Sequence, residues 1–155
     1  MVRIHAVGPS DREEWGRLWD AYLTFYETEL DAATTEYTFA RVTDPTVELH
    51  AAIARDDDGV AVGLVQWLPH PATWTQTDYC YLEDLFVAPE ARGGGVGAAL
   101  IEHVREWAAA HGSSKVYWHT AEDNATARRQ YDRVATKGIT GGVHGFCLAR
   151  HAGVF

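Results

Sequence analysis

The chain has 155 residues, with 13 Lys+Arg against 22 Asp+Glu, for a formal net charge of −9. That balance argues against a nucleic-acid surface, which must neutralise phosphates with clustered cations, and against an anchor on anionic lipid. A hydrophobic content of 46% with 23% charged residues is ordinary for a folded chain, so disorder is excluded as the main state and residues 1–155 read as a single domain.

Cys80 and Cys147 form no CxxC pair and read as buried, reduced thiols. The eight histidines fall in no HExxH motif and at no zinc spacing with cysteine, so no metal is expected. No apolar run approaches the about 18 residues of a membrane span, and Met1–His5 lacks the apolar core of a secretory leader. These features predict a cytoplasmic protein with no membrane association.

Alternation over 2–6 predicts a first strand. Ser10 with Glu13 reads as a capping box opening a helix. Trp15, Leu18, Trp19, Tyr22, Leu23 and Tyr26 then recur at the helical period of about 3.6 residues, a stripe expected to pack as core. Glu27, Glu29, Asp31 and Glu36 follow in a solvated loop or short second helix. Apolar segments at 49–55 and 60–68 flank Asp56-Asp57-Asp58-Gly59 and predict a β-hairpin. Pro69, Pro71, Thr73 and Thr75 mark a loop holding Trp74.

Residues 79–87 form the strongest strand pattern in the chain, ended by Pro89. A helix follows, with Val96, Leu100, Val104, Trp107 and Ala108 on one face and Gly112 as its C′ residue. A strand over 115–120, a helix capped by Asp123 or Asn124 and carrying Tyr131, and a last strand over 143–149 complete the order. Hairpin strands first and a βαβ unit second imply an α/β fold with a mixed, mostly antiparallel central sheet and helices on both faces.

Between the strongest strand and the next helix stands Arg92-Gly93-Gly94-Gly95-Val96-Gly97. Four glycines in five positions weaken a helix or strand interior, but suit a backbone that approaches a ligand with its N–H groups converging at a helix N-terminus. That geometry binds phosphate. No Lys-Ser or Lys-Thr follows, which excludes a Walker A loop. The run through Ala98 also fits GxGxxA, yet Ala88–Arg92 separates it from the strand, whereas a dinucleotide fingerprint turns straight off its strand.

These residues resemble the pyrophosphate loop (Arg/Gln-x-x-Gly-x-Gly/Ala) of the GNAT N-acetyltransferase superfamily. Tyr81-Leu82-Glu83-Asp84-Leu85-Phe86-Val87-Ala88-Pro89 is similar to the preceding strand of its diamine (spermidine/spermine-type) branch. Asn124 and Tyr131, seven residues apart, match that branch's later Asn and Tyr. The resemblance spans about residues 60–134 and implies an acetyl-CoA-dependent N-acetyltransferase. It implies that Gly93, Gly94, Gly95, Val96, Gly97 and Ala98 cradle the acetyl-CoA pyrophosphate, with Arg92 as either a phosphate-side cation or a solvated loop residue. Main chain at Phe86 and Val87 would pair with pantetheine, and Asn124 would bond the cofactor arm. Tyr131 would protonate the leaving thiolate.

Aminolysis of a thioester needs a neutral amine, a stabilised oxyanion and a protonated leaving group. Glu83 is the candidate base for an ammonium substrate. Glu83, Asp84 and Glu27, with Trp67 and Trp74 through cation–π contact, are candidate contacts for a small, cationic amine. Packing under the hairpin is an equal reading for the two tryptophans. A homodimer is a possible assembly, and a non-catalytic acyl-CoA-binding module on the same fold is the alternative to an enzyme.

Overall fold

A computed structural model describes residues 1–121 and 144–150, with side chains through His119. Its elements are β1 (Arg3–Ala6), α1 (Arg12–Phe25), α2 (Ala32–Val42), β2 (His50–Arg55), β3 (Ala61–Pro71), β4 (Asp78–Val87), α3 (Val96–Ala110), β5 (Ser113–Ala121) and β6 (His144–Arg150). The six strands neighbour one another in chain order. The α/β class and the mixed sheet are as the sequence predicts. The expected helix around Tyr131 lies outside the described residues. Chain contacts gather into two compact units, one of residues 1–67 with 84–100, the other of 68–83 with the described residues from 101 onward.

In the first unit, β2 pairs antiparallel with β1 (Ile4↔Ala54) and with β3 (Ile53↔Leu64). The β2–β3 turn closes as predicted. Asp56 accepts the Gly59 amide on its carbonyl and the Asp58 and Val60 amides on its carboxylate, and Gly59 sits at φ +83°. The first part of the stripe on α1 is core, with Trp15, Leu18 and Trp19 packed with Ile53, Leu64 and Phe86 and with Tyr22 and Leu23 partly buried against them, whereas Tyr26 lies past the end of the helix and is exposed. Gly63 of β3 lets α3 approach closely, since a Cβ there would stand 2.9 Å from Leu100 Cδ1 and 3.0 Å from Val96 Cγ1. Of the acidic residues after α1, Glu27 and Glu29 lie in the connection and Glu36 in α2, which Asp31 caps by accepting the Thr34 amide at 2.6 Å.

Two sequence expectations fail here for local reasons. Ser10 is not the cap of α1: Pro9 starts a 3-10 turn over Pro9–Asp11, and the Asp11 carboxylate reaches back to the Gly8 amide at 2.8 Å. The second failure concerns Pro69 and Pro71, which continue β3 instead of opening a loop. A proline lacks only a donor, so a strand end accommodates it.

Asp11 belongs to an ion network with Glu14 and Arg55 that ties the start of α1 to β2. Burial pushes the Asp11 carboxyl up, but the Gly8 amide, His5 and Arg55 together hold it below its ordinary value. The Arg55 hydrogen bond holds Glu14 down as well. Native pKa values below those of the unfolded chain contribute stability that is full above about pH 5 and is lost as pH falls through them. Arg55→Met should therefore flatten the rise in urea midpoint between pH 3 and 6 (a window of about this width brackets both carboxyls). An unchanged slope would dissociate the network from acid stability.

In the second unit, β4 and β5 run parallel (Tyr79↔Lys115, Tyr81↔Tyr117), as do β5 and β6 (Trp118↔Cys147). Ile101, Val104 and Ala108 of α3 are buried, as are Cys80, Val116 and Trp118. Burial pushes the Cys80 thiol up to about 12, which makes it an inert core thiol, as expected. Half-buried Tyr81 and Tyr117 stack at 5.1 Å. His70 Nδ1–H donates to the Pro71 carbonyl, so Nε2 accepts the Tyr117 hydroxyl at 2.7 Å. Among the described residues, no helix is long and apolar enough to cross a membrane.

Candidate active site

The glycine loop leaves β4 through a 3-10 turn over Pro89–Ala91. Arg92 is extended, and Gly93 and Gly95 stand at φ +82° and +81°, a backbone region that L side chains rarely adopt. The first helical bond runs from the Ala99 amide to the Gly95 carbonyl at 3.0 Å. The amides ahead of Ala99 therefore precede the helical ladder, at the positive end of a 15-residue helix. Gly93, Gly94 and Gly95 are exposed, and a Cβ on Gly93 or Gly95 would meet nothing within 4 Å. Gly93, Gly94 and Gly95 thus form an open turn with backbone donors of the kind that a diphosphate needs, while Val96 and Gly97 behind them are buried.

Arg92 has a definite role in shaping this loop. Its Nε–H donates to the Val87 carbonyl at 3.0 Å, and its guanidinium lies over Phe25 (5.2 Å) and Phe86 (6.0 Å). It ties the loop to the end of β4 and to the last residue of α1. Phe86 is buried and meets Tyr22 edge-on at 6.5 Å. The Ala88 amide bonds the Val62 carbonyl at 2.8 Å, which anchors the chain entering the loop on β3.

The proposed acceptor residues are placed as follows. Asp84 is half-buried and its Oδ2 accepts from Gln66 Nε2 at 2.8 Å. Gln66 is 2% exposed, and its Oε1 accepts the Trp15 indole N–H at 2.9 Å. Glu83 is exposed on β4. Glu27 is exposed just past α1, at φ 52°. Trp67, expected as either a substrate contact or a packed residue, is 2% exposed and stacks on His50 at 5.7 Å, which is the packed position. Trp74 is 92% exposed in the β3–β4 connection. Asn124 and Tyr131 lie outside the described residues. Gln66, Trp15 and Phe25 were not singled out as site residues from sequence; the one visible signal was an amide side chain in the apolar run Ala61–Leu68. Among the described residues, no group of three or more His, Cys, Asp or Glu could hold a metal.

The acetyltransferase (GNAT) family matches residues 13–135. D-amino-acid N-acetyltransferase HPA3 of Saccharomyces cerevisiae (strain ATCC 204508 / S288c) is 39% identical over 137 residues, 88% of this chain and 85% of that protein. Among solved structures, ribosomal-protein-alanine N-acetyltransferase from Brucella melitensis biovar Abortus 2308 superposes with a TM-score of 0.71 at 21% identity, over 86% of this chain and 90% of that one. Aminoglycoside N-acetyltransferase AAC(6')-Iy, solved in complex with CoA, gives a TM-score of 0.75 at 20% identity, over 86% of each chain. At these identities the two structures speak for the fold alone.

Proposed function

Because the chain belongs to the GNAT acetyltransferase family and is an N-acetyltransferase that acts with acetyl-CoA on an amine, we propose that it moves the acetyl group directly from the thioester to a primary amine of a small, cationic acceptor. The observation that carries the reading is the exposed glycine cradle at the N-terminus of α3. The amides of residues 93–98 hold the diphosphate of the coenzyme, and main chain at Phe86 and Val87 receives pantetheine. Asn124 bonds the same arm. Arg92 acts mainly by fixing the loop, since its Nε–H is committed to the Val87 carbonyl and a face of its guanidinium to the Phe25 ring.

The acceptor arrives as an ammonium and must lose a proton, which Glu83 takes directly or through water. The free amine attacks the carbonyl carbon, the C–N bond forms and the C–S bond breaks, and the new amide nitrogen then gives up its second proton, which restores the phenol that has protonated the sulfur. A phenol with a reference pKa of about 10 is protonated at neutral pH and matches a thiolate in basicity, so Tyr131 supplies the proton that the leaving sulfur requires. The net charge of −9 and the exposed Glu27, Glu29 and Asp31 favour the approach of a cation. The diamine class follows from the strand motif, whereas the 39% identical relative is named for D-amino acids. Both classes present an ammonium.

A thiol-release assay over spermidine, putrescine, several D-amino acids and an aminoglycoside decides the acceptor. Tyr131→Phe should lower kcat about 10²–10⁴-fold, with the acetyl-CoA KM nearly unchanged. Full turnover by that variant would remove the acid role. Turnover confined to D-amino acids would replace the diamine by a zwitterionic acceptor and remove the reading of a net positive substrate.

A further inference from the structure

We propose that Phe25, the last residue of α1, is a positioning residue for the coenzyme loop: its ring holds the Arg92 guanidinium and thereby keeps the amides of Gly93, Gly94 and Gly95 placed for the diphosphate. The inference rests on the acetyl-CoA reading above and deepens it with a residue from outside the loop and its strand.

Three consecutive glycines carry no side chain by which their turn can be held, so the loop is fixed from its two ends. At the far end the Ala99 amide bonds the Gly95 carbonyl at 3.0 Å and hands the chain to α3. At the near end stands Arg92, the last side chain before the glycines. Its Nε–H donates to the Val87 carbonyl at 3.0 Å, across a turn in which the Ala91 amide bonds the Ala88 carbonyl at 2.9 Å. That bond clamps residues 87–92, and Gly93 departs from the clamp directly, at φ +82°.

One hydrogen bond leaves the plane of a guanidinium undetermined, and the two rings beside it supply the rest. The guanidinium carbon lies 5.2 Å from the centre of the Phe25 ring and 6.0 Å from that of Phe86, within the roughly 6 Å over which a cation is drawn to a π face. Phe86 is buried and belongs to the core, which accounts for it. Phe25 is half-exposed and meets Tyr26 edge-on at 5.1 Å. With half its surface in water, it contributes less by burial than a core aromatic does, and what it offers beyond an aliphatic side chain is a π face for Arg92. All of these residues fall in the same compact unit. The consequence for the coenzyme is one of order: glycine loses more backbone freedom than any other residue when it is fixed, and a loop already held at Arg92 loses less of it on binding.

Calorimetric titration of the full chain with acetyl-CoA tests this. Phe25→Leu keeps an apolar side chain and removes the ring. It should raise Kd about threefold, the change that a partly exposed cation–π contact is worth, with a melting temperature within about 2 °C of the parent. Phe25→Tyr keeps the π face and should bind as the parent does. In an Arg92→Leu background, which has no cation to hold, Phe25→Leu should change Kd no further. A parent-like Kd for Phe25→Leu, or an equal loss for Phe25→Tyr, would overturn the proposal and leave the acetyltransferase reading standing. So would a rise that recurs in the Arg92→Leu background, which would make Phe25 a direct contact of the coenzyme. A parent protein that takes up no acetyl-CoA would overturn both.

Discussion

Trp15→Ala should bring the protein close to unfolding at room temperature. Trp15 is fully buried, stacks on Trp19 at 5.8 Å, meets Phe39 at 5.1 Å and lies under the Arg12 guanidinium at 5.5 Å. Its removal empties the centre of the α1 core, and a truncation of this kind costs about 3–5 kcal/mol. It also strips the Gln66 carbonyl of its donor where little water reaches, for about 1–3 kcal/mol more. The sum is comparable to the about 5–15 kcal/mol that a domain has in total. Trp15→Phe separates most of the two contributions, since it keeps a six-membered ring in the core and loses the N–H with the remainder of the indole. Urea midpoints should fall steeply for alanine and by roughly a third as much for phenylalanine, in proportion to these contributions. Equal losses would assign the whole effect to the hydrogen bond, and a loss below about 1.5 kcal/mol for alanine would mean that α1 is not central to this core.

The elements that sequence reading placed well are those whose signal is periodic or steric. The α1 stripe, the hairpin turn at Asp56–Gly59, the β4 run and the Gly112 stop each repeat one local rule many times, or need a residue that few alternatives can replace. Gly112 stands at φ +81°, as its C′ assignment requires. The hydrogen-bond chain through Gln66 was illegible because it joins positions 15, 66 and 84, and no local pattern links residues so far apart in sequence. The same holds for Arg92. Its neighbours in sequence predict a phosphate-side cation or a solvated side chain, whereas the aromatic ring of Phe25 that it covers comes from the end of α1. Ser10 failed for the opposite reason: two local signals competed, and proline's fixed φ outweighed a serine cap.

The glycine loop can be tested against an internal control, because Gly59 and Gly95 present the same local problem. Gly59 stands at φ +83° and Gly95 at φ +81°, and a Cβ at either position would meet nothing within 4 Å. An alanine at each site therefore costs backbone strain and nothing else, about 1–2 kcal/mol. The two sites differ in what their amides face. Gly59 closes a hairpin in which Asp56 already accepts its amide. Gly95 opens α3, where the amides of residues 93–98 point ahead of the helical ladder. Gly59→Ala and Gly95→Ala should lower the urea midpoint alike, but only Gly95→Ala should weaken acetyl-CoA. Rotating the loop out of the left-handed region withdraws one or two charge-assisted N–H bonds from the diphosphate, each worth about 1.5–3 kcal/mol, which corresponds to a rise in Kd of at least about tenfold. Gly95→Val should enlarge that loss, since a branched side chain resists positive φ more strongly. Calorimetric titration with acetyl-CoA reads the difference directly. If both alanine variants bind the coenzyme as the parent does, the loop is a turn like that of the hairpin, and the diphosphate is held elsewhere.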